Sequence, residues 1–328
     1  MYFICMMEKC EQLFAKIDRI KSTQHIDEGL RGYNEATWIH SDQLGVTISV
    51  SDLTFDVCPT NRNIYLSKIM GVRLPGNADR VKGRAIESLC FRIHNEIRSY
   101  LGEMSKQDKL RMIDSLGYLR SKEGELVQWA FDEGKRKSGV ADNALINEAD
   151  LKGGLLKILR FESLMVSSLL NYRIARMSDH RLLEFYDGMM HFTFEPSYQA
   201  DFLGLGEPIT PDFLYAGKAI GDIKSGKWEE YMNINFTAYA LAYEHENTAP
   251  LDVGLIYHVS LEDSCSVPVH WNTQITYIDN TLRAAFLSKR DKKLAILLSR
   301  TDPGRAERTV CATNHCPFIL TCWDGGVH

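Results

Sequence analysis

The stretch that most constrains the fold is residues 211–226, where two short apolar runs flank a turn around Ala216-Gly217. This pattern predicts a β-hairpin. If the loop has three residues, Asp212 on the first strand lies directly opposite Asp222 on the second, with Cβ atoms roughly 4.5–5.5 Å apart. A two-residue loop would shift the register by one residue and place the two acids on opposite faces of the sheet.

The hairpin would bring together side chains that suit phosphodiester hydrolysis. Because strand side chains alternate, Asp222 and Lys224 share a face, while Ile223 points to the other face and can pack on an underlying layer. Two neighbouring carboxylates can share one hard divalent cation, which polarises a phosphate and lowers the pKa of a bound water. The lysine would orient that water or neutralise developing charge.

An acid-x-lysine triplet is weak evidence by itself, since several are expected by chance in a chain of this length. Other triplets of this type are Glu133-Gly134-Lys135, Asp150-Leu151-Lys152 and Asp291-Lys292-Lys293. The triplet at Asp222 differs in its setting, because an acid lies on the preceding predicted strand and a predicted helix follows. We therefore interpret the hairpin as the candidate catalytic element.

Length and composition set wider limits. With 328 residues and 45% hydrophobic content, the chain can form one large domain or two. A net charge of −5 does not favour nucleic-acid binding, which usually requires a basic surface. Basic residues are concentrated in the last fifth of the chain, where they indicate either a solvated helix face or a surface that follows phosphates. They are Arg283, Lys289, Arg290, Lys292, Lys293, Arg300, Arg305 and Arg308.

The sequence also limits the compartment. No apolar run approaches the roughly eighteen residues of a membrane helix, and the N-terminal residues lack a basic leader. We therefore expect a cytoplasmic protein that does not bind a membrane. Eight cysteines in that compartment are more typical of metal or cluster ligands than of structural disulfides.

Hydrophobic periodicity predicts an α/β protein. Helices are expected at 8–22, 79–101, 228–244 and 281–298, with a further helical section at 104–180. In addition to the hairpin, strands are expected at 44–50, 190–194, 198–203, 253–260 and 269–278. This order is typical of an α/β core with a mixed sheet, interrupted by a helical insertion.

A second set of candidate ligands lies near the C-terminus. Cys311, Cys316 and Cys322 are separated by four and five residues and supply three sulfurs to a site that needs four ligands. The fourth could be His315, or Cys58, which has the same Cys-Pro dipeptide as Cys316. A site that includes the distant cysteine would close a very long loop, which removes much chain entropy from the unfolded state. Zinc sites usually have closely paired cysteines, so the spacing favours an iron–sulfur cubane over zinc or unrelated cysteines.

Taken together, these segments resemble a known group of nucleases. The residues that carry the resemblance are Gly83 to Glu87, Asp212, Asp222-Ile223-Lys224, Asn235 to Tyr239, the four cysteines, Leu30-Arg31-Gly32-Tyr33, Leu203-Gly204-Leu205-Gly206 and Pro317-Phe318. The chain resembles the RecB-like PD-(D/E)XK nucleases with an iron–sulfur cluster, and most specifically the archaeal CRISPR-associated exonucleases of the subtype I-A adaptation module. The resemblance covers about residues 30–100 and 185–323.

The resemblance implies an α/β fold with a PD-(D/E)XK, restriction-endonuclease-like core, a mixed sheet, a helical insertion and a four-cysteine iron–sulfur clasp. The expected segments are an N-terminal part with the first cluster cysteine (1–78), a motif helix of the core (79–103), a helical insertion (104–184), the rest of the core (185–300) and a part with three cysteines (301–328). Each of these boundaries is an expectation from the sequence.

The resemblance also implies roles for single residues. Asp212 and Asp222 would bind Mg²⁺ or Mn²⁺, with the carbonyl of Ile223 as a further ligand. Lys224 would serve the water nucleophile, and Tyr239 would contact the DNA backbone or brace the site. The ligands implied for a [4Fe–4S] cluster are Cys58, Cys311, Cys316 and Cys322.

Two positions depart from the family pattern. The family helix usually carries a metal-binding histidine where this chain has Glu87, although a carboxylate can also bind a hard cation. His94 lies two turns further along the same predicted helix face and is the other candidate ligand. The helix after the hairpin usually begins its motif with glutamine, whereas Asn235 stands here.

The implied function is that of a metal-dependent DNA exonuclease that trims DNA ends before new spacers enter a CRISPR array. Its expected partners are single-stranded or end-bearing DNA, the CRISPR integrase and other adaptation proteins. One alternative is a catalytically weak or inactive adaptor that binds DNA or protein, which Glu87, Asn235 and the acidic net charge favour. Another is a zinc-bound endonuclease of the restriction type, which would be colourless rather than brown.

Overall fold

The computed structural model describes residues 14–15, 17–39, 47–74, 77–106, 114–140, 146–174, 182–225, 229–261 and 269–324. Its main helices are α1 (Val50–Thr54), α2 (Ala78–Lys106), α3 (Ser115–Ser121), α4 (Glu123–Ser138), α5 (Glu148–Ile174), α6 (Leu182–Met190), α7 (Tyr231–Asn247), α8 (Asn280–Ser299), α9 (Arg308–Thr313) and α10 (Ile319–Asp324). Short helical turns lie at Glu28–Leu30, Glu35–Thr37, Arg62–Ile64 and Tyr65–Ile69. Residues 17–21 are also helical, as predicted.

The strands of the described chain form one five-stranded sheet in the order β1-β2-β3-β4-β5. They are β1 (Phe192–Phe194), β2 (Phe213–Tyr215), β3 (Ala219–Lys224), β4 (Val253–Leu261) and β5 (Val269–Tyr277). β3 and β4 are parallel and the other neighbours are antiparallel. A parallel pair needs a crossover connection, which α7 provides. The predicted α/β fold with a mixed sheet is therefore confirmed.

The hairpin has the register on which the catalytic interpretation depends. Phe213 of β2 pairs with Gly221 of β3, so one step further along the ladder Asp212 lies opposite Asp222. The loop consists of residues 216–218, and its first two residues have φ angles of 51° and 65°. The glycine at the second of these positions adopts such an angle without steric cost. The predicted three-residue loop is confirmed.

Helices cover both faces of the sheet. On one face, α2, α4 and α5 pack against Phe213 and Ile223. On the other face, α7 and α8 pack against Ile220. Because strand side chains alternate, Asp222 and Lys224 share the face of Ile220. Ile223 thus anchors β3 on the layer beneath while its two neighbours point the opposite way, as predicted.

The insertion is helical in its described parts, 114–140 and 146–174. α4 packs closely on α2 because Gly134 has no side chain, since a Cβ there would lie 2.8 Å from the Cβ of Ala85. The expected segment boundaries after residues 103 and 184 fall inside α2 and α6, so both helices continue across them. No helix among the described residues combines the length and the apolar character needed to cross a lipid bilayer.

The strand predicted at 44–50 is wrong for its described residues, 47–50. Residues 47–49 have no regular structure, and Val50 begins α1. The Ser49 side chain accepts a hydrogen bond from the Asp52 N–H, and the Asp52 side chain accepts one from the Ser49 N–H. This capping box outweighs the strand preference of the β-branched residues on which the prediction rested. Residues 44–46 lie outside the described chain.

Two strands predicted after residue 189 are also corrected. Met190 ends α6, so β1 begins only at Phe192. Residues 198–203 form isolated bridges rather than a strand. Leu203 and Gly204 donate their N–H groups to carbonyls three residues earlier, so a tight turn uses the donors that a strand would offer to its neighbour.

A buried ion-pair network fixes the N-terminal turn around Arg31 to the core. Arg283 donates hydrogen bonds to both carboxylate oxygens of Glu244, at 2.9 and 2.8 Å. Arg31 donates to Glu244 at 2.7 Å and also to Asp252. The Gly32 N–H donates to Glu244 at 2.9 Å. Because fully buried charges require partners, this network explains in physical terms why the Leu30-Arg31-Gly32 segment is tied to α7 and α8.

Part of the basic cluster of α8 is structural. Arg283, Arg290 and Lys293 are buried, so a solvated or phosphate-following face is wrong for these three residues. Lys293 Nζ donates to the carbonyls of Asp52 and Phe55, at 2.9 and 2.8 Å, and so satisfies the C-terminal end of α1. The exposed members of the basic set are Lys292, Arg300, Arg305 and Arg308.

Candidate functional site

The two acids of the hairpin meet beside the end of β3, and both are buried. Asp212 Oδ2 accepts a hydrogen bond from the Ile223 N–H at 2.6 Å. Lys224 Nζ lies 2.8 Å from Asp222 Oδ2. The three charged side chains open into a cleft of about 270 Å³. Other side chains that line this acidic cleft include Ser49, Ser51, Arg84, Thr210, Asn235 and Tyr239.

Helix α2 brings a third carboxylate to the acids. Glu87 and Asp212 both line an adjoining cleft of about 320 Å³. Arg84 lines both clefts, and its Nη1 donates to Glu87 Oε1 and Oε2 at 3.1 and 2.8 Å. Gly83 eases this approach of α2 to β3, because a Cβ at that position would lie 2.9 Å from Ser225 Oγ and would force that hydroxyl to rotate.

The cleft concentrates negative charge. Burial raises the pKa of Asp212 well above its usual value, and the charges of Glu87 and Asp222 raise it further. Burial lowers the pKa of Lys224, but the charges of Asp222 and Asp212 outweigh this effect and leave the pKa raised. Close carboxylates repel one another, so the site stabilises a cation placed among them.

The donor set fits a hard divalent cation. Carboxylate oxygens are the ligands that Mg²⁺ and Mn²⁺ prefer. Asp222 Oδ2 is buried and accepts no hydrogen bond of suitable geometry, although Lys224 lies close to it. One carboxylate oxygen therefore retains the capacity to bind a further group. In the arrangement described, Glu87 is engaged by Arg84 instead.

The four cysteines of the implied clasp are buried free thiols. Cys311, Cys316 and Cys322 pack together with Phe318. Burial raises the pKa of Cys316, and the charges of Cys58, Cys311 and Cys322 add to this shift. Next to Cys58, the Val57 carbonyl accepts a hydrogen bond from the Asn314 side chain at 3.3 Å, although more than two hundred residues separate the two segments in the sequence.

Hydrogen bonds fasten the segment around Cys58 to the C-terminal part of the chain. Thr60 Oγ1 donates to the carbonyl of Gly304 at 2.9 Å. Arg62 donates two hydrogen bonds to the Asp302 carboxylate, from Nε at 2.8 Å and from Nη2 at 2.6 Å. These hydrogen bonds hold the two distant segments together. Among the residues that the structure describes, however, no three His, Cys, Asp or Glu side chains form a ready-made cage for a metal ion, here or at the acids.

Comparison with known proteins identifies the family. The family model of the CRISPR-associated exonuclease Csa1 matches residues 2–128 and 159–325. This chain belongs to the Csa1 family. The unmatched interval, 129–158, falls in the helical insertion, and the match confirms the family expected from the sequence.

Two curated Csa1 relatives align over most of this chain. The CRISPR-associated exonuclease Csa1 of Saccharolobus solfataricus is 24% identical over 309 residues, which cover 92% of this chain and 94% of the relative. The CRISPR-associated exonuclease Csa1 of Thermoproteus tenax is 22% identical over 278 residues, which cover 84% of each chain. No solved structure matches this chain.

In this Csa1 family member, α7 supplies Asn235 and Tyr239 to the acidic cleft. Asn235 is buried, and its Oδ1 accepts a hydrogen bond from the Thr54 hydroxyl. The amide thereby holds α1 against α7. Burial raises the pKa of Tyr239, and the charges of Asp222 and Asp212 add to the shift, so the phenol stays neutral and can donate a hydrogen bond into the cleft.

The structure places His94 apart from the acids. Its Nδ1 lies 2.5 Å from the Tyr186 hydroxyl, and its ring stacks on Phe194. Burial lowers the pKa of His94 to about 3, so the imidazole is neutral in the fold. Of the two predicted candidates on α2, the structure brings Glu87 to Asp212, whereas His94 lines a different cleft.

The sequence did not predict two cations that line the candidate site. Arg84 precedes Glu87 by three residues, and that spacing places both on one helix face, so the pair could have been found. Lys137, at the end of α4, lines the cleft of Glu87 and Asp212 and lies 3.6 Å from Glu195. It belongs to the insertion, and no local sequence pattern connects it to the hairpin.

Proposed function

We propose that this chain is a metal-dependent deoxyribonuclease of the PD-(D/E)XK type that removes nucleotides from DNA ends. The observation that carries the proposal is the placement of Asp212 opposite Asp222, with Lys224 beside Asp222 in the same cleft. The relatives that bear the name exonuclease support the same reaction class. A five-stranded mixed sheet with helices on both faces is consistent with the proposed nuclease core.

Each residue of the cleft has a proposed role. Asp212, Asp222, Glu87 and the Ile223 carbonyl would hold Mg²⁺ or Mn²⁺, and the bound cation would polarise the phosphate and acidify a water. A cation bound by Glu87 would compete with the hydrogen bonds that Arg84 Nη1 donates to both its oxygens, and the released guanidinium could then meet a phosphate oxygen.

The remaining groups of the chain act on the water and the strand. Lys224, kept protonated by the neighbouring acids, orients the attacking water and balances charge that develops on the phosphate. The neutral Tyr239 hydroxyl donates a hydrogen bond to the DNA backbone or braces Asp222. None of these roles requires movement of β3, which Ile223 anchors on the opposite layer.

A structural [4Fe–4S] cluster is the second part of the proposal, with Cys58, Cys311, Cys316 and Cys322 as ligands. Four buried free thiols, three of which raise the pKa of the fourth, Cys316, fit such a group. Structural zinc sites usually have closely paired cysteines, whereas these are separated by four and five residues with one distant partner, and this spacing favours the cube over zinc. The cluster would fasten the segment of Arg62 to the C-terminal part of the chain.

The proposed biological role is preparation of DNA ends for spacer acquisition in the subtype I-A adaptation module. In that role the enzyme acts in the cytoplasm beside the CRISPR integrase and other adaptation proteins. The division into segments 1–78, 79–103, 104–184, 185–300 and 301–328 is retained as a functional division, in which the insertion contributes Lys137 to the nuclease core.

The test is cleavage of end-labelled single-stranded and duplex DNA by anaerobically purified protein with Mn²⁺ or Mg²⁺. Asp222→Ala should abolish cleavage, because the carboxylate opposite Asp212 is lost. Asp150→Ala is the matched control, since Asp150 heads another acid-x-lysine triplet but is exposed on α5. Cleavage that survives Asp222→Ala would refute the assignment of this site.

One observation favours a second candidate, an adaptor that binds DNA or protein without cutting it. Arg84 already occupies the carboxylate of Glu87, an arrangement that neutralises a ligand. If the acids are vestigial, no cleavage occurs with any divalent cation, and binding of labelled DNA is unchanged in Asp212→Ala and Lys224→Ala. The nuclease proposal predicts that both variants lose cleavage.

A further inference from the structure

A second cleft beside the acids has no role in the chemistry proposed above. It has a volume of about 410 Å³ and opens at β1, the edge strand of the sheet. This volume lies in the roughly 300–1,000 Å³ range that accommodates a small organic ligand. Its lining includes His94, Arg98, Tyr186, Phe192 and Phe194, so we refer to it as the aromatic cleft.

The aromatic cleft is joined to the acids through Glu195. This residue lines the aromatic cleft and also the cleft of Glu87 and Asp212. Its N–H donates to the carbonyl of Asp212 at 2.9 Å, and the preceding residue, Phe194, pairs with Phe213 across the β1–β2 ladder. Phe192 and Phe194 share the Phe213 and Ile223 face of the sheet, opposite to the face of the acids. The aromatic cleft therefore reaches the acids around the end of β1, at Glu195.

The rings are held in place before any ligand arrives. Phe192 and Phe194 stack at 5.8 Å with an angle of 11° between their planes. Phe194 also stacks on His94, with centroids 5.3 Å apart, and the hydrogen bond of His94 to Tyr186 fixes the imidazole. Both phenylalanines are only partly buried, so an edge or face of the stack borders the cleft.

Cations lie between the aromatic cleft and the acidic cleft. Arg84 and Lys137 line the shared cleft of Glu87 and Asp212, and Arg98 lies at the aromatic cleft, where it pairs with Asp187 at 2.8 Å. Arginine and lysine are the residues that bind phosphate groups, and aromatic faces are where unpaired bases stack. The acids would thus face the scissile phosphate, the cations the next phosphate, and the rings the base, in the order in which these groups follow one another along a DNA strand.

We propose that the aromatic cleft is a nucleobase subsite, which receives the base next to the scissile phosphate of a single DNA strand. The subsite rests on the proposed nuclease function and adds to it a requirement for an unpaired base. A paired base cannot enter the cleft, so the enzyme acts on single-stranded ends, and a duplex end must open before it is cut.

The test is an abasic scan of end-labelled oligothymidine with Mn²⁺. Each substrate carries one abasic residue at a different distance from the end, and the cleavage rate at every bond is measured. In the wild type, an abasic residue at one fixed position relative to the cut bond should slow cleavage roughly 5- to 100-fold, which corresponds to the loss of one stacked base. Other positions should have little effect.

Two variants test whether the base at the abasic-sensitive position occupies the aromatic cleft. Phe194→Leu and, independently, Phe192→Leu keep apolar volume but remove an aromatic face. Each should slow cleavage of unmodified oligothymidine and abolish the additional penalty of the abasic residue. Trp129→Leu is the control, because Trp129 is an exposed ring on α4 that lines neither cleft, and it should behave as the wild type.

The outcomes separate the inference from the function on which it rests. A flat abasic scan in the wild type, or an unchanged positional penalty in both phenylalanine variants, overturns the subsite while cleavage itself upholds the nuclease. Faster cutting of blunt duplexes than of single strands also overturns it. Absence of cleavage of every oligonucleotide by folded wild-type protein overturns the nuclease and the subsite together.

Discussion

The protonation of Glu162 tests how α5 packs in the helical layer formed by α2, α4 and α5. It lies on α5, it is buried, and its Oε1 accepts no hydrogen bond. Burial raises the pKa of Glu162 to about 8, whereas an unfolded glutamate titrates near the usual ~4.3. Between these two pH values the folded protein holds a proton that the unfolded chain has released.

The sign and size of the effect follow from proton linkage. Because the native state binds more protons than the unfolded state, stability falls as pH rises, by about 1.4 kcal/mol per pH unit, and the fall ends above pH 8. Summed over this interval, ionising the group costs roughly 4–5 kcal/mol. Glu162→Gln keeps the shape of the protonated acid and removes the titration. The variant should equal the wild type near pH 4.5 and be several kcal/mol more stable at pH 8.

The assay is urea denaturation of both proteins at pH 5, 6, 7 and 8, with stability compared at each pH so that other titrating groups cancel. Glu125→Gln is the control, because Glu125 is exposed on α4, and its stability curve should run parallel to that of the wild type. Parallel curves for wild type and Glu162→Gln would refute the reasoning, since they would show that the carboxyl is ionised or solvated in the fold.

Other predictions concern the buried ion-pair network and the four cysteines. Arg283→Met should destabilise the fold by roughly 3–5 kcal/mol, because it leaves the buried Glu244 without the arginine that binds both its oxygens. A thermal melt measures this loss, and Arg300→Met, at an exposed arginine, should leave the stability unchanged. Cys316→Ser should lower the iron and sulfide content of anaerobically purified protein. Cys90→Ser, which changes a buried thiol on α2, should leave that content unchanged. Equal iron in both variants would contradict the cluster. Arg62→Met should weaken the contact between the segment around Cys58 and the C-terminal part of the chain, and so speed proteolysis near residue 302. Unchanged proteolysis would count against a stabilising role of that contact.

The hairpin was predictable because its information is local. Turn residues and a period of two predict the hairpin, and the alternation places Lys224 and Ile223 on opposite faces. The sequence left the loop length open, and the structure shows the three-residue loop that sets Asp212 opposite Asp222. Helix α2 was equally predictable from its long amphipathic pattern. The Cys-Pro dipeptide shared by Cys58 and Cys316 suggested Cys58 as a partner of the C-terminal cysteines, and the family resemblance supported the same choice.

The errors arose where a short-range competitor or a tertiary contact decided the structure. Residues 47–50 carry a strand-like composition, but the capping box of Ser49 starts a helix. The basic residues of α8 look like a solvated face, yet Lys293 is buried to satisfy the carbonyl groups of α1. The contribution of Lys137 to the site depends on how the insertion folds back on α2, and sequence spacing holds no record of that packing.

The most direct measurement of the central claim is anomalous scattering from a crystal of this protein soaked in Mn²⁺, with a second crystal of Asp222→Asn. The account predicts a manganese peak between the carboxylates of Asp212 and Asp222, within bonding distance of Glu87 once Glu87 has left its hydrogen bonds with Arg84. It predicts no peak in the variant. A wild-type crystal with no peak between these acids, or with manganese bound only elsewhere, would contradict the claim that this hairpin is the catalytic centre.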